Sequence, residues 1–231
     1  IMFPLRDTNK SKTFPAINWL LIMANIGVFV MQRGLSNEET AMLHHTLGVV
    51  PTNFFSGHPL AAISLLSYQF LHGGFWHLVS NMWFLYIFGD NVEDRMGHTR
   101  YFMFYLLSGV SGGLLQVLLG PTSTSPMIGA SGAVSGILGA YLILFPRARV
   151  VTFVPIFFLP WFVKIPAVIY LGLYFISQFS NALTGLNIAV GVGGGIAYWA
   201  HVGGFLAGFA LVRRFSRHIE IVQFQPPSQP G

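Results

Sequence analysis

The sequence predicts an all-α membrane protein, and two observations support this prediction. Charged residues make up 8% of the chain, against about 25% in a typical soluble domain, whereas hydrophobic residues make up 53%. Charges are also absent from four long runs, at 13–32, 40–89, 101–146 and 165–212. A spanning helix needs about 20 apolar residues, so each run can hold at least one helix and the last two can hold two each.

Composition excludes several classes of function. The chain has no cysteine, which removes disulfides, thiolate nucleophiles and cysteine-based metal sites. The formal net charge of +5 comes from basic residues scattered near predicted helix ends, which is typical of membrane topology rather than nucleic-acid binding. We therefore expect a lipid bilayer as the surroundings, no nucleic acid, no metal and no cofactor. The first apolar run lacks a small-residue cleavage site, so no cleavable signal peptide is expected.

The chain divides into three parts by composition. Residues 1–13 form a basic arm that is expected to be solvated and cytoplasmic, 14–212 form a six-helix core, and 213–231 form a cytoplasmic tail. The six helices are predicted at 14–31, 75–88, 101–119, 130–145, 165–183 and 196–212.

Two connections are too apolar for ordinary loops. Residues 32–74 contain recurring apolar pairs between glycine and proline breaks, which indicates short helices lying partly in the membrane interface. Residues 150–163 are apolar but interrupted by Pro155 and Pro160, which favours a re-entrant or interfacial link. The helix predicted at 130–145 would reach only about 24 Å against a hydrocarbon core of about 30 Å, so its start must be recessed.

The basic residues fix the predicted orientation. With six helices, every lysine and arginine except Arg33 falls on the side that holds both termini. The positive-inside rule then places both termini in the cytoplasm.

Four polar residues fall in one layer near the outer ends of the second, fourth and sixth helices. They are His77 and Asn81, Ser131, and His201. Polar groups at this depth are costly unless they face the bundle interior and bond each other or water. We expect these four side chains to share one site.

Glycine spacing predicts how the site is closed. Gly132 and Gly136 on the fourth helix, and Gly204 and Gly208 on the sixth, are small-xxx-small pairs that let two helix backbones approach closely. Gly129 removes a side chain where the chain turns into the recessed helix. Close packing would bring Ser131 within hydrogen-bond reach of His201, a pairing that can activate a serine hydroxyl.

The motifs Gly-Ala-Ser-Gly at 129–132, His-Leu-Val-Ser-Asn at 77–81 and Ala-His-Val-Gly-Gly at 200–204 resemble the rhomboid family of intramembrane serine proteases. The resemblance covers the core and implies a six-helix bundle with a partly membrane-embedded first loop.

The resemblance also implies roles for the site residues. Ser131 would be the nucleophile, His201 its general base in a Ser-His dyad, and His77 and Asn81 would support the oxyanion. Substrates would be transmembrane proteins, admitted past the fifth helix and a cap loop at 185–195.

This chain departs from the family pattern at two places. Many members carry a Trp-Arg pair in the first loop, where this chain has Ile63 and Ser64. Some members place a tyrosine one turn after the nucleophile, stacked on the base, where this chain has Ser135.

Other interpretations remain open at this point. A non-catalytic rhomboid-like protein that binds membrane clients would usually lack one member of the dyad. A proton-coupled transporter would need polar groups in the inner leaflet as well. His44 and His45 raise the possibility of a metal site, but two adjacent histidines without partners favour a solvated loop. The small extramembrane content favours a bacterial inner membrane.

Overall fold

The structure is a computed structural model that describes residues 3–156, 159–187 and 197–216. Helices dominate this part of the chain, but it also contains a three-stranded sheet, so the protein is mostly helical and not all-α as predicted. Residues 188–195 of the predicted cap loop and 217–231 of the predicted tail lie outside the described residues. In chain order, the elements are β1 (Phe3–Asp7), α1 (Ala16–Arg33), α2 (Asn37–Leu47), α3 (Pro51–Phe55), α4 (Ala61–Ser67) with a following 3-10 turn (Tyr68–Phe70), α5 (Phe75–Met96), α6 (His98–Leu119), α7 (Ser131–Leu144), β2 (Arg149–Ile156), β3 (Leu159–Pro166), α8 (Ala167–Asn187) and α9 (Tyr198–Phe215).

Each of the six predicted long helices corresponds to a helix in the structure, namely α1, α5, α6, α7, α8 and α9. Among the described residues, α1 and α6 are the two that are long and apolar enough to cross a membrane by length and composition. Helix α7 has 14 residues and is about 21 Å long, shorter than a hydrocarbon core of about 30 Å. A count of six spans therefore stays a prediction.

Short helices fill the first loop, as the sequence predicts. Ser36 begins α2 with a capping box, in which its hydroxyl accepts the Glu39 N–H and the Glu39 carboxylate accepts the Ser36 N–H. Pro51 occupies the first turn of α3, where its missing N–H costs nothing. Val49 and Met127 exchange backbone hydrogen bonds of 2.9 and 2.8 Å. The loop is thereby tied to the segment that leads into α7.

Helix α5 is longer than predicted and continues to Met96 instead of ending at 88. One charged residue of this extension, Glu93, binds the start of α1. The fully buried carboxylate of Glu93 accepts the N–H groups of Ile17 and Asn18 at 3.0 and 2.8 Å. First-turn N–H groups have no acceptor within their own helix, so a carboxylate here satisfies two of them and complements the helix dipole.

Residues 150–163, predicted to be a re-entrant or interfacial link, belong to an antiparallel hairpin formed by β2 and β3. Pro155 and Pro160 lie opposite each other beside the hairpin turn, where the loss of a ladder N–H disturbs few other bonds. Strand β1 pairs antiparallel with β2, so part of the predicted solvated arm belongs to a sheet. The Trp83 indole N–H also donates to the Pro4 carbonyl at 2.7 Å, which fixes the arm against α5.

Helix α7 lies at the centre of the bundle, and all its residues from Gly132 to Tyr141 are buried. Its backbone touches that of α9 at two glycine pairs. A Cβ added to Gly204 would lie 1.9 Å from the Gly132 carbonyl oxygen, and one added to Gly208 would lie 2.0 Å from the Gly136 oxygen. The contact between Gly132 and Gly204 lies in the first turn of α7 and the second turn of α9, so it brings the starts of the two helices together.

Candidate active site

The segment before α7 places Ser131 at the start of that helix. Gly129 has φ +126°, a conformation that favours glycine, and a Cβ there would lie 2.7 Å from the His77 ring. Its N–H donates to the Tyr68 carbonyl at 2.9 Å, which anchors the turn to the first loop. Ser131 is then the first residue of α7, where Val134 N–H makes a 2.9 Å bond to the carbonyl of Ala130.

The structure brings Ser131 and His201 together. His201 lies in the first turn of α9, and its Nε2 is 2.7 Å from the Ser131 Oγ. This distance is within the range that proton transfer between a hydroxyl and an imidazole requires. Two side chains separated by 70 positions in sequence are therefore hydrogen-bonded at the meeting point of α7 and α9.

The other nitrogen of His201 also has a partner. Its Nδ1 is 2.7 Å from the Oε1 of Gln178, which projects from α8. Sequence reasoning missed Gln178. The one available signal was an amide inside the uncharged run at 165–212, where polar side chains are costly unless they are bonded.

His77 and Asn81, predicted to work together, have different neighbours. The His77 ring lies against Gly129, two residues before Ser131. Asn81 is buried, and its Nδ2 is 3.1 Å from the His72 Nε2. The His72 and His77 rings are edge to face with centroids 5.2 Å apart. Two imidazoles therefore lie together, one in the first turn of α5 and one in the loop before it, and Asn81 contacts the second.

His72 is held in place by a side chain from α1. The Gln32 Oε1 accepts the His72 N–H at 3.1 Å, and the Gln32 Nε2 donates to the His72 carbonyl at 3.2 Å. His72 is 2% exposed, and its Nδ1 has no hydrogen-bond partner. Its burial and its bond to Asn81 make it part of the scaffold around the site.

Ser135, which stands where some family members have a tyrosine, is hydrogen-bonded to a tyrosine of α8. The Ser135 Oγ is 2.8 Å from the Tyr174 hydroxyl oxygen. Ser135 therefore fills the position of the family tyrosine with a polar link to α8. The aromatic neighbour of His201 comes from α9 itself, because the Tyr198 ring is edge to face at 6.1 Å.

His44 and His45, which are adjacent in the first loop, have different surroundings. His44 is hydrogen-bonded to Gln32, with 2.7 Å between its Nε2 and the amide nitrogen, whereas His45 is exposed. Throughout residues 3–156, 159–187 and 197–216, no group of three or more His, Cys, Asp or Glu side chains is arranged to hold a metal ion.

Comparison with known proteins gives a consistent result. The Rhomboid domain matches residues 60–218, more than half of the chain. Rhomboid protein 1, mitochondrial, of Saccharomyces cerevisiae is 36% identical over 40% of this chain and 28% of its own length. RHOMBOID-like protein 1 of Arabidopsis thaliana is 33% identical over 86% of this chain and 52% of its own length. Rhomboid-like protease 3 of Toxoplasma gondii is 28% identical over 91% of this chain and 75% of its own length.

The chain spans about a quarter to a half of the yeast and plant relatives. The yeast relative is named as mitochondrial, which conflicts with the predicted bacterial inner membrane. The matched residues 60–218 nevertheless contain Ser131, His201, His77 and Asn81, together with the helices that position them. This integral membrane protein belongs to the rhomboid family.

Proposed function

We propose that the chain is an intramembrane serine endopeptidase that hydrolyses peptide bonds in or next to transmembrane segments of membrane proteins. The observation that carries the proposal is the 2.7 Å contact between Ser131 Oγ and His201 Nε2 in a chain of the rhomboid family. The Toxoplasma gondii relative, named as a protease, adds support over 91% of this chain.

The proposed chemistry starts at Ser131. Its oxygen attacks the carbonyl carbon of the scissile bond while Nε2 of His201 takes the hydroxyl proton. His201 then gives that proton to the leaving amine as the C–N bond breaks, which leaves an acyl-enzyme. Water attacks the ester, its proton passes to His201 and then to Ser131, and the carboxylic acid product leaves. The dyad is regenerated and no cofactor takes part.

The developing oxyanion needs hydrogen-bond donors. The N–H groups of the first turn of α7 have no acceptor within that helix and carry the positive end of its dipole. His77 flanks the same turn across Gly129, and Asn81 is one turn further along α5. We assign oxyanion support to His77 and Asn81, with Asn81 acting beside the His72 imidazole that it contacts. Removal of one such donor typically costs about 10²–10³ in rate.

A six-span topology accompanies this function. Helices α1, α5, α6, α7, α8 and α9 would span the membrane, with both termini, the arm at 1–13 and the tail at 213–231 in the cytoplasm. The core at 14–212 would then hold the first turns of α5, α7 and α9 in the outer leaflet. A short α7 supports this arrangement because its start must be recessed for Ser131 to meet a substrate inside the membrane.

Substrates would be transmembrane helices that unwind locally. An intact helix hides its scissile carbonyls in backbone hydrogen bonds, so cleavage requires a short extended stretch at the site. Hydrolysis also requires water, so the outer end of the bundle must be wet.

The test is cleavage of single-pass reporter proteins by the purified full chain in lipid vesicles. Wild-type protein should cleave near the outer end of the reporter's transmembrane segment, and Ser131→Ala and His201→Ala should abolish cleavage. Ser111→Ala and His45→Ala are matched controls, because His45 is exposed, and the half-buried Ser111 bonds its own helix backbone through its hydroxyl, at the Leu107 carbonyl.

Equal cleavage by wild type and both dyad variants would refute the proposal. Stable reporter binding without cleavage, unchanged in Ser131→Ala, would instead indicate a non-catalytic protein that binds membrane clients.

A further inference from the structure

A glutamine on α8 lies behind the candidate base. Gln178 is half-buried, and its Oε1 is 2.7 Å from the His201 Nδ1, on the opposite side of the ring from Ser131. The imidazole is therefore held at both nitrogens, by side chains from two different helices.

The direction of this hydrogen bond follows from the neighbouring groups. The Gln178 Nε2 donates to the Ser177 Oγ at 3.2 Å, and the Ser177 hydroxyl donates to the Tyr174 carbonyl at 2.7 Å. Since the Ser177 hydrogen is already used, its oxygen must accept, which orients the amide nitrogen of Gln178 toward it. The amide oxygen then faces His201, where it can only accept.

An acceptor at Nδ1 determines which nitrogen of a neutral imidazole carries the hydrogen. With the hydrogen on Nδ1, the lone pair of Nε2 faces the Ser131 hydroxyl and can take its proton. The opposite tautomer would present an N–H to Ser131 and could not act as a base. An aspartate fixes the tautomer in serine proteases with a triad.

We propose that Gln178 is the positioning residue of His201, holding the hydrogen on Nδ1 so that Nε2 faces Ser131. The inference rests on the proposed protease function and extends it from a dyad to a dyad supported by α8. Since Tyr174, one turn earlier on α8, is bonded to Ser135 of α7, the same helix face contacts both helices that carry the dyad. The base is therefore oriented only while α8 is packed against α7 and α9.

The other groups facing His201 are the Ser131 hydroxyl from α7, the Tyr198 ring of α9, and the His77 imidazole of α5 across Gly129. Within the described residues, none of these carries a negative charge. A carboxylate introduced at 178 would therefore be a new charge beside the base.

The test compares Gln178→Leu and Gln178→Glu with wild type, using kcat/KM for reporter cleavage across pH. Leucine is close to glutamine in size but removes the acceptor, so the rate should fall about 10–100-fold and the acid limb of the profile should move to lower pH. Glutamate keeps an acceptor and adds negative charge, so the acid limb should move to higher pH, with an alkaline rate above that of Gln178→Leu. Thr184→Ala, an exposed change on α8, is the control.

A structural role alone would lower the rate without moving the profile. Wild-type rates and profiles in both variants, or equal losses with an unmoved acid limb, would overturn the proposal.

A second measurement is independent of cleavage. In protein labelled with 15N-histidine, neutral His201 should be protonated at Nδ1, with its signal assigned by loss in His201→Ala, and Gln178→Leu should lose this single tautomer. Protonation at Nε2 in wild type would overturn the role of Gln178 even if cleavage is confirmed. Absence of wild-type cleavage would refute the proposed function while the tautomer still decides the role of Gln178.

Discussion

Replacement of Gly204 by alanine tests whether direct backbone contact between α7 and α9 holds the dyad together. Gly204 lies one turn after His201, and the Gly132 that it contacts lies one residue after Ser131. The added Cβ would lie 1.9 Å from the Gly132 carbonyl oxygen. Both atoms involved in the clash are fixed to backbone, so the helices themselves must separate.

The size of the separation follows from these distances. Real Cβ atoms essentially never approach within 3.0 Å, so the two backbones must move apart by about 1.1 Å at this point. The 2.7 Å contact between Ser131 and His201 would lengthen to about 3.8 Å, beyond hydrogen-bond reach. We expect cleavage to fall by about 10²-fold and the free energy of unfolding to fall by about 1–3 kcal/mol.

The assay is reporter cleavage in lipid vesicles, together with thermal unfolding of the same preparation. Gly27→Ala is the matched control: it adds the same methyl group inside α1, where nothing lies within 4 Å of the new atom. It should keep full activity and unfold at the wild-type temperature or slightly above. Wild-type activity and stability in Gly204→Ala would refute the reasoning.

Three further predictions concern other parts of the bundle. Burial raises the pKa of the Asp7 carboxyl from 3.8 to about 6, so the folded state keeps this proton to a higher pH than the unfolded state does. The free energy of unfolding therefore falls as the pH rises from about 4 to 6. Asp7→Asn keeps an oxygen that can accept the Tyr141 hydroxyl, so it should flatten this pH dependence. At pH 8 it should raise the free energy of unfolding by roughly 1–2 kcal/mol, a value reduced to allow for the partial exposure of Asp7. Denaturant titration at pH 4 and pH 8 would measure both effects. Glu93→Ala should cost about 3 kcal/mol in thermal or denaturant unfolding, because it leaves buried N–H groups such as that of Asn18 unpaired. His77→Ala should lower kcat about 10²–10³-fold with a smaller change in KM, and an unchanged kcat would remove His77 from the oxyanion site.

The positions of the helices and the contact between Ser131 and His201 could be predicted because both depend on local sequence signals. Uncharged apolar runs delimit the long helices, and the glycine pairs at Gly132 and Gly204 are spaced to let α7 and α9 touch. Ser131 lies next to Gly132 and His201 lies one turn before Gly204, so close packing at these glycines brings the two side chains together.

The sheet and the extension of α5 could not be predicted because they depend on partners far away in sequence. Pro155 and Pro160 read as helix breakers, and only their pairing across β2 and β3 makes them compatible with a hairpin. From the sequence, Glu93 looks like a charged residue in a loop, because the N–H groups that it binds belong to the distant start of α1. The role of Gln178 could not be predicted for the same reason, since it depends on which face of α8 packs against α9.

Labelling with a serine-reactive fluorophosphonate tests the central claim most directly, because it reports an activated hydroxyl without requiring the natural substrate. In intact wild-type protein in lipid vesicles, mass spectrometry should locate the label on Ser131, and His201→Ala should lose it while Ser111→Ala keeps it. Equal labelling of wild type and His201→Ala, or no label on Ser131 in protein that is folded, would contradict the account.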